Sequence, residues 1–212
     1  MKTVAIVDYG MGNLRSVAKA VEHVAPDYMV RVTADPDVLA SAERIIVPGQ
    51  GAMPDCMREL KQRGLADAVV RAAADKPFLG ICIGLQMLFE HSEEGDVAGL
   101  GIFPGQVRRF PDDAMHDTAG IRLKVPHMGW NEVRQAESHP LWSGIDDNAR
   151  YYFVHSYYVE PVAPDVIAGS THYGIPFTSA VARANIFAVQ FHPEKSAAAG
   201  LKLLENFMHW HP

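Results

Sequence analysis

The sequence predicts a single three-layer α/β domain over residues 1–212, with a mostly parallel central sheet and helices on both of its faces. Three observations indicate this class. In the first half of the chain, short β-branched runs alternate with helical patterns, which is the order of elements in βαβ units. In the second half strand patterns dominate, so we expect an antiparallel, strand-rich addition to the sheet. The 212 residues, 48% of them hydrophobic and 21% charged, have the composition of an ordinary globular domain.

The first half contains four predicted strands. Residues 4–7 are apolar throughout, which is typical of a strand that is buried on both faces. A glycine-containing turn at 10–13 precedes a helical pattern, with Asn13 as its N-cap. The remaining segments of this half are strands at 29–32, 45–47 and 78–81 and helices around 54–63 and 65–74.

From Val107 to Gln190 strand patterns replace helical ones. The most polar stretch, 111–117, is expected to be an exposed loop. The region around Asn185 is expected to form a hairpin turn, and a closing helix at 197–210 carries apolar residues along one face. The predicted strands of this half lie at 121–125, 130–133, 151–159, 166–170, 178–183 and 186–190.

Composition and charge exclude several classes of protein. The net charge of −6 argues against a general binder of nucleic acid or anionic membranes. Two cysteines are too few for a disulfide framework, and they fit a reducing compartment. The apolar run within residues 1–7 is too short for a signal peptide, and the longest apolar region, 78–89, is too short to span a bilayer. We therefore expect a cytoplasmic protein.

Neither a metal site nor a bound cofactor is expected. No group of His, Cys, Asp and Glu residues has the spacing of metal ligands. The Gly10-Met11-Gly12-Asn13 turn resembles a dinucleotide-binding fingerprint, but Arg15 stands where the third glycine would be. The sequence therefore predicts chemistry that is carried by side chains alone.

The sharpest motif is Gly80-Ile81-Cys82-Ile83-Gly84, which lies between a predicted strand and an amphipathic helical pattern. It matches the nucleophile elbow, with cysteine in the position of the usual serine. Such a turn strains the backbone at the nucleophile, and it raises the sulfur to the sheet edge where α/β folds bind ligands. The N-terminus of the helix that follows favours the thiolate. The alternative is a buried structural cysteine, which is the role we assign to Cys56, since it has no flanking glycines.

A cysteine nucleophile needs a base and a group that orients the base. His192 ends a predicted apolar strand, and Pro193 holds it in extended geometry. Because residues i and i+2 of an extended segment project to the same side, we expect the Glu194 carboxylate beside the His192 imidazole. The simpler alternative is a strand-end histidine near a surface carboxylate. His155 is the rival base, but it lacks a carboxylate two residues later, which favours a packing or substrate-lining role.

The segment Pro48-Gly49-Gln50-Gly51-Ala52 follows the third predicted strand and should lie at the same sheet edge as Cys82. Its glycines allow the backbone N–H groups of Gln50 and Gly51 to turn toward a developing oxyanion, where the amide of Ile83 joins them. An ordinary strand-exit turn uses glycine in the same way. The pattern leaves both interpretations open.

Gln86 extends the elbow to Gly-x-Cys-x-Gly-x-Gln, and with this pattern the chain resembles the class I (triad) glutamine amidotransferases. Further blocks narrow the resemblance to the branch that supplies ammonia in histidine biosynthesis. They run in order over nearly the whole chain, and the oxyanion segment lacks the Gly-Gly-Pro that is typical of other members. These blocks are 8–13, 48–51, 126–131, 152–157 and 191–196.

The resemblance implies the class I amidotransferase fold and assigns roles to fifteen residues. The implied catalytic triad is Cys82, His192 and Glu194, and the implied oxyanion hole is Gln50, Gly51 and Ile83. Glutamine would be bound by Gln86, Glu94, His155, Ser156 and Tyr157, and the partner interface would include Asn13, Trp130, Tyr152 and Lys195. Two features depart from the family: Gln50 stands where a small apolar residue is expected, and the 111–120 loop is longer and more acidic than the family needs.

By the same resemblance, the chain is a glutaminase that forms a cysteine thioester and releases glutamate and ammonia. It would form a heterodimer with a (β/α)₈-barrel cyclase that makes imidazole glycerol phosphate and an aminoimidazole carboxamide ribonucleotide. Two other interpretations are a thiol hydrolase without a partner, such as a peptidase or a deglycase, and a non-catalytic scaffold with a vestigial triad. The intact Cys-His-Glu set argues against the scaffold, and Gln86 with the 155–157 block argues against a peptidase.

Overall fold

The computed structural model describes residues 2–117 and 119–212, which form one branched sheet and the helices packed on it. The strands are β1 (Lys2–Val7), β2 (Tyr28–Thr33), β3 (Arg44–Gly49), β4 (Phe78–Cys82), β5 (Phe89–Ser92), β6 (Val97–Ala98), β7 (Phe103–Arg109), β8 (His127–Gln135), β9 (Ala149–His155), β10 (Tyr157–Pro161), β11 (Ile167–Tyr173), β12 (Ile175–Arg183) and β13 (Ile186–Val189). The α-helices are α1 (Leu14–Val24), α2 (Pro36–Ser41), α3 (Met53–Gln62), α4 (Ala66–Asp75), α5 (Ile83–Gln86) and α6 (Ala197–His209). None of the helices in the two described ranges is long and apolar enough to cross a membrane.

The centre of the sheet is parallel, in the order β2-β1-β3-β4-β13. Strands β3, β4 and β13 are buried along their whole length, as expected for a parallel sheet that is covered on both faces. The connection from β1 to β2 runs toward one edge of the sheet, and the connections from β2 to β3 and from β3 to β4 run toward the other edge. Right-handed connections therefore put α1 on one face and α2 to α4 on the other. The predicted parallel core with helices on both faces is confirmed.

Beyond β13 the sheet is mainly antiparallel. The order continues β12-β10-β7-β5-β6, and β5 and β7 form a parallel pair within it. A branch leaves β12 through β11 and β8 to β9. The hairpin predicted around Asn185 joins β12 to β13, with Arg183 opposite Ile186. The strand-rich second half is confirmed.

Two predicted elements are wrong in length or kind. The amphipathic helix expected after Cys82 is only the four-residue α5, and all of it is buried. Two residues after α5 the chain re-enters the sheet as β5. The strand predicted at 151–159 is broken at Ser156 into β9 and β10, which belong to different parts of the sheet.

The strand predicted at 121–125 is absent from the described residues, apart from an isolated bridge between His116 and Arg122. Ile121 is 65% exposed, and Leu123 and Val125 are only partly buried, so this segment has no fully buried face that would stabilise a strand. Conversely, α2 was not predicted, although Asp35 caps it by accepting a hydrogen bond from Asp37 N–H and Pro36 occupies its first turn. The short strands β5 and β6 and most of β7 were also missed.

Residues 111–120 form a loop, as predicted, with Thr118 lying outside the described residues. Asp112 and Asp113 are exposed, whereas Met115 is buried. Met115 packs near Gly174, where an added Cβ would lie 3.1 Å from the Met115 Cα. The acidic loop is therefore attached to the turn between β11 and β12 by one apolar side chain.

Candidate active site

Cys82 lies at the sharp turn between β4 and α5, at the carboxyl end of the parallel sheet. Its backbone has a φ of 57° and a ψ of −110°, a conformation that costs energy for a residue with a Cβ. Gly84 permits the turn, because a Cβ there would overlap the carbonyl oxygen of Val47 on β3. A Cβ at Gly80 would lie 2.8 Å from the Gly84 carbonyl oxygen. The two glycines and the strained cysteine therefore form the predicted elbow, with Cys82 only 4% exposed.

His192 follows β13, the strand that pairs with β4 on the side away from β3. Its backbone N–H donates to the Tyr152 carbonyl at 2.9 Å, and its carbonyl accepts from the Ser196 hydroxyl at 2.6 Å. The Ser196 oxygen in turn accepts from the Tyr152 N–H at 2.9 Å. These three hydrogen bonds hold the backbone of residue 192 against β9. They thereby fix the position from which its ring projects.

The Glu194 carboxylate lies beside the His192 ring, with Oε1 2.9 Å from Nδ1. The route differs from the predicted one: Pro193–Lys195 is a 3₁₀ turn rather than an extended segment, and this turn brings the carboxylate back to the ring. Burial lowers the pKa of His192, but the negative charges of Cys82 and Glu194 outweigh burial and raise it to about 10. Because the carboxylate accepts from Nδ1, the other ring nitrogen, Nε2, is left for chemistry.

Gln190 is a buried residue of this site that the sequence motifs do not reveal. Its Nε2 donates to the Cys82 sulfur at 3.7 Å, and its Oε1 accepts from Gln86 Nε2 at 3.1 Å. The signal lies in the strand pairing. Val189 of β13 is in register with Ile81 of β4, so the next residues along the two parallel strands are Gln190 and Cys82. Sequence patterns alone do not contain that register.

A cavity of about 320 Å³ opens beside Cys82, within the size range of small-molecule sites. Its lining residues are Gln50, Gly51, Cys82, Ile83, Gln86, Glu94, Pro126, Val154, His155, Ser156, Tyr157 and His192. Of the predicted catalytic, oxyanion and glutamine-binding residues, Glu194 lies behind the His192 ring and the others form the wall, to which the structure adds Pro126 and Val154. A larger cavity of about 700 Å³, which includes Gln135, His139 and Asp147, contains none of them. Within residues 2–117 and 119–212, no cluster of three or more His, Cys, Asp or Glu side chains could hold a metal ion.

Two polar side chains bring acceptor oxygens to the cavity wall. Gln86 is 1% exposed; its Nε2 donates to the Tyr157 carbonyl and to Gln190, both at 3.1 Å. Its Oε1 has no hydrogen-bond partner within the described part of the chain. Glu94 is anchored at the start of α3, where its Oε2 accepts from the Met53 N–H at 2.8 Å. The cavity wall therefore carries one carboxylate and one amide side chain.

His155 also lines the cavity, but both of its ring nitrogens are engaged. Nδ1 lies 2.8 Å from the Tyr157 carbonyl oxygen and Nε2 lies 2.9 Å from Nδ1 of His127. Burial, with a smaller effect of His127, lowers the pKa of His155 to about 3. A neutral ring bonded in this way fits the packing or substrate-lining role that the sequence favours for His155 over the role of a base.

The candidate oxyanion segment, 48–51, runs directly beside the elbow. Gly49 is in register with Cys82 where β3 and β4 end. A Cβ at Gly49 would lie 2.5 Å from the Cβ of Ile83, so only glycine allows the two turns to approach this closely. Gly51 has a φ of +106°, which also favours glycine.

Two buried side chains hold carbonyl groups of this segment. The Tyr9 hydroxyl donates to the Pro48 carbonyl at 2.8 Å, and the Cys56 thiol donates to the Gln50 carbonyl at 3.6 Å. Burial raises the pKa of Cys56 to about 11, so this group remains a protonated donor near neutral pH. Cys56 lies in α3, as predicted, and it contacts the site through the backbone of Gln50.

Comparison with known proteins gives the family of the chain. The family model for class I glutamine amidotransferases matches residues 5–210. The chain belongs to the class I glutamine amidotransferase family.

Curated relatives within this amidotransferase family match the chain over its whole length. A protein of Aromatoleum aromaticum is 69% identical over 212 residues, which is 100% of both chains. A protein of Thiobacillus denitrificans is 66% identical over 209 residues, 99% of this chain and 92% of the relative. A third, from Dechloromonas aromatica, is 67% identical over 211 residues, 100% of this chain and 98% of the relative. All three are named imidazole glycerol phosphate synthase subunit HisH, so this amidotransferase belongs with the HisH subunits.

Solved structures share the amidotransferase fold at much lower identity. One glutamine amidotransferase has a TM-score of 0.69 and 16% identity, covering 97% of both chains. A glutamine amidotransferase from Thermotoga maritima has a TM-score of 0.59 and 15% identity, covering 93% of this chain and 78% of that chain. The predicted class I amidotransferase fold is confirmed.

Three of the four residues that the resemblance assigns to the partner interface of the amidotransferase lie together. Trp130 is 45% exposed, and its ring centre is 6.3 Å from that of Tyr152. Lys195 Nζ lies 5.8 Å from the centre of the Tyr152 ring, within the range of a cation–π contact. Asn13 instead caps α1, where its side chain accepts from the Ser16 N–H at 3.4 Å.

Proposed function

We propose that this chain is the glutaminase subunit of an imidazole glycerol phosphate synthase, and that it passes the ammonia it produces to a cyclase subunit in histidine biosynthesis. The observation that carries the proposal is the meeting of Cys82, His192 and Glu194 beside one cavity whose wall includes Gln86 and Glu94. The full-length similarity to HisH subunits supports the assignment to this synthase.

In the first step, the Cys82 sulfur attacks the side-chain carbonyl carbon of glutamine. A C–S bond forms, and the carbonyl oxygen becomes an oxyanion that backbone N–H groups near Gln50, Gly51 and Ile83 stabilise, at about 2.7–4 kcal/mol for one such donor. The raised pKa of His192 keeps it protonated near neutral pH. Its Nε2 proton goes to the leaving nitrogen, the C–N bond breaks, and a glutamyl thioester and ammonia result.

In the second step, water hydrolyses the thioester. His192, now neutral, takes a proton from the water, and the oxygen attacks the thioester carbonyl. The C–S bond breaks, glutamate leaves, and the pair of thiolate and imidazolium is restored. Glu194 stabilises this imidazolium through Nδ1, and the Gln190 amide stabilises the sulfur anion.

The wall of the cavity suits glutamine. The Glu94 carboxylate is the natural partner for the α-ammonium group of the substrate, because its anchor at Met53 N–H occupies only Oε2. The buried Oε1 of Gln86 offers an acceptor for an N–H group of the ligand. Ser156 and Tyr157 also line the cavity.

The product explains why a partner is needed. Free ammonia is mostly protonated near neutral pH and is then not a nucleophile, so it must be consumed where it is made. The partner that we propose is a (β/α)₈-barrel cyclase, which would use ammonia to make imidazole glycerol phosphate and an aminoimidazole carboxamide ribonucleotide. The cluster of Trp130, Tyr152 and Lys195, of which Trp130 is exposed, is the proposed docking surface. Asn13 is the fourth residue that the resemblance assigns to it.

The test is ammonia release from glutamine by the purified chain, measured with and without the cognate cyclase, together with product formation by the complex. We expect equal amounts of glutamate and ammonia, and transfer of the nitrogen to the cyclase product. A non-catalytic scaffold would release no ammonia under either condition. A thiol hydrolase without a partner would cleave a peptide or glycated substrate and would ignore the cyclase. Either result would overturn the proposal.

A further inference from the structure

A series of buried and partly buried hydrogen bonds runs from β8 to the cavity wall. Asn131 Nδ2 lies 3.2 Å from His127 Nε2, and His127 Nδ1 lies 2.9 Å from His155 Nε2. His155 Nδ1 lies 2.8 Å from the carbonyl oxygen of Tyr157. The two histidines face each other across β8 and β9 and are 3% and 6% exposed. The proposed glutaminase mechanism uses neither Asn131 nor His127.

Only one placement of hydrogen atoms gives every donor and acceptor in this series of hydrogen bonds a partner. The Tyr157 carbonyl can only accept, so His155 carries its hydrogen on Nδ1. Burial lowers the pKa of His127 to about 4 and that of His155 to about 3, so both rings are neutral and each has one donor and one acceptor. His155 Nε2 therefore accepts from His127 Nδ1–H, and His127 Nε2 accepts from Asn131 Nδ2. The second hydrogen of that amide donates to the His172 carbonyl at 3.0 Å.

This series of hydrogen bonds is anchored at both ends and at His127. The His127 ring stacks on Tyr173 and Phe153, with ring centres 4.0 and 4.8 Å apart. At the other end, the Tyr157 carbonyl accepts from Gln86 Nε2 as well as from His155, which occupies both of its lone pairs. Buried polar networks are rigid only when every member has its hydrogen-bond partners. The position of the Tyr157 carbonyl therefore depends on all the hydrogen bonds from Asn131 to His155.

We propose that His127 is a positioning residue for glutamine binding. By donating to His155 it sets the tautomer that holds the Tyr157 carbonyl, and it thereby keeps residues 155–157 and Gln86 in place on the cavity wall. His127 acts from behind the wall rather than on the substrate. The inference rests on the proposed glutaminase function of the cavity.

The test compares two variants in the complex with the cyclase. His127→Phe keeps the aromatic stacking but removes both ring nitrogens, which leaves His155 Nε2 buried without a donor. We expect the KM for glutamine to rise about tenfold while kcat changes by less than about threefold, because the triad is untouched. His127→Asn places an amide donor near the position of Nδ1 and should restore KM to within about threefold of the wild type. A wild-type KM in His127→Phe, or an equal loss in both variants, would overturn the inference.

A second measurement does not depend on the stability of a variant. Long-range ¹H–¹⁵N NMR of the wild-type chain should show His155 as the neutral tautomer protonated at Nδ1. A hydrogen on Nε2 would overturn the inference. Failure of the proposed function has a different signature, since the wild-type complex would then release no ammonia from glutamine at all.

Discussion

Three charged or reactive side chains sit inside the protein at the proposed active site, and each is compensated by a neighbour. The side chains of His192 and Glu194 are 5% and 1% exposed, so neither charge is hydrated as it would be on the surface. Burial disfavours the His192 imidazolium, but the nearby Cys82 sulfur and Glu194 carboxylate stabilise it more strongly. Together they raise the pKa of His192 to about 10. Removing one member leaves the others uncompensated, so single substitutions should have large and different effects.

Cys82→Ser should abolish glutamine-dependent synthesis by the complex and leave ammonia-dependent synthesis intact, because only the amide-cleaving step uses the thiol. Both activities are measured on the same preparation. Cys56→Ser is the matched control: a hydroxyl still donates to the Gln50 carbonyl, which the thiol contacts at 3.6 Å, so little change is expected. Near-wild-type glutamine turnover in Cys82→Ser would show that the nucleophile lies elsewhere.

His192→Asn should lower glutaminase turnover by about 10²–10⁴-fold, because it removes the proton donor for the leaving nitrogen. Glu194→Gln should cost less, since the ring remains. If His155→Asn were the more damaging histidine substitution, the base would be wrongly assigned.

Glu194→Gln should also change the pH profile in a definite direction. The carboxylate is one of the charges that raise the pKa of His192, so without it the imidazolium loses its proton at lower pH. In the wild type, the alkaline loss of turnover is expected as the pH rises through about 10, and in the variant the loss should begin earlier. A profile of kcat against pH for both proteins measures this. An unchanged alkaline limb would contradict the role of Glu194.

At the scale of elements, the elbow between β4 and α5 requires glycine at position 84 because there is no room for a Cβ there. Gly84→Ala would drive a Cβ into the Val47 carbonyl oxygen, and we expect a loss of about 3 kcal/mol in unfolding free energy together with loss of glutaminase activity. Gly101→Ala is the control, because Gly101 has a φ of +66° but open space around its Cβ position. There only backbone strain of about 1 kcal/mol is expected, with activity retained. Denaturant unfolding and turnover measure both effects, and equal losses in the two variants would refute the steric argument.

At the scale of the whole molecule, the free chain should hydrolyse glutamine poorly and gain about 10²–10³-fold when it binds the cyclase with its ligand, which is the effect of one oxyanion donor. Tyr9 and Cys56 hold the carbonyls of Pro48 and Gln50, so neither contact fixes the Gly49–Gln50 peptide between them. Glycine at position 49 lets this peptide adopt two orientations at little steric cost, and the partner would select the active one by binding it preferentially. Turnover of the free chain and of the ligand-bound complex are compared. A ratio near one would indicate a constitutive hydrolase.

Much of the molecule follows from local sequence. Alternating apolar runs and caps predict β1 to β4, α1, α3, α4 and α6, because the spacing of apolar residues along each segment determines which of its faces can be buried. The elbow at Cys82 is equally local, since glycines two residues on either side meet the steric demand of one turn. The family resemblance adds the identities of the residues that line the cavity.

The tertiary structure alone decided the contacts between segments that are far apart in the chain. The approach of Gln190 to Cys82 depends on the register of β13 against β4, and the pair of His127 and His155 depends on the register of β8 against β9. Glu194 reaches His192 through a 3₁₀ turn where the local pattern predicts an extended segment. The propensity of a segment to form a strand does not depend on the register in which that strand pairs. The register is determined by which side chains can be buried and hydrogen-bonded together across the whole sheet. The sequence by itself therefore determined the parallel core and singled out Cys82 and His192 as the proposed nucleophile and base, and the packed sheet decided which buried amides and histidines surround them.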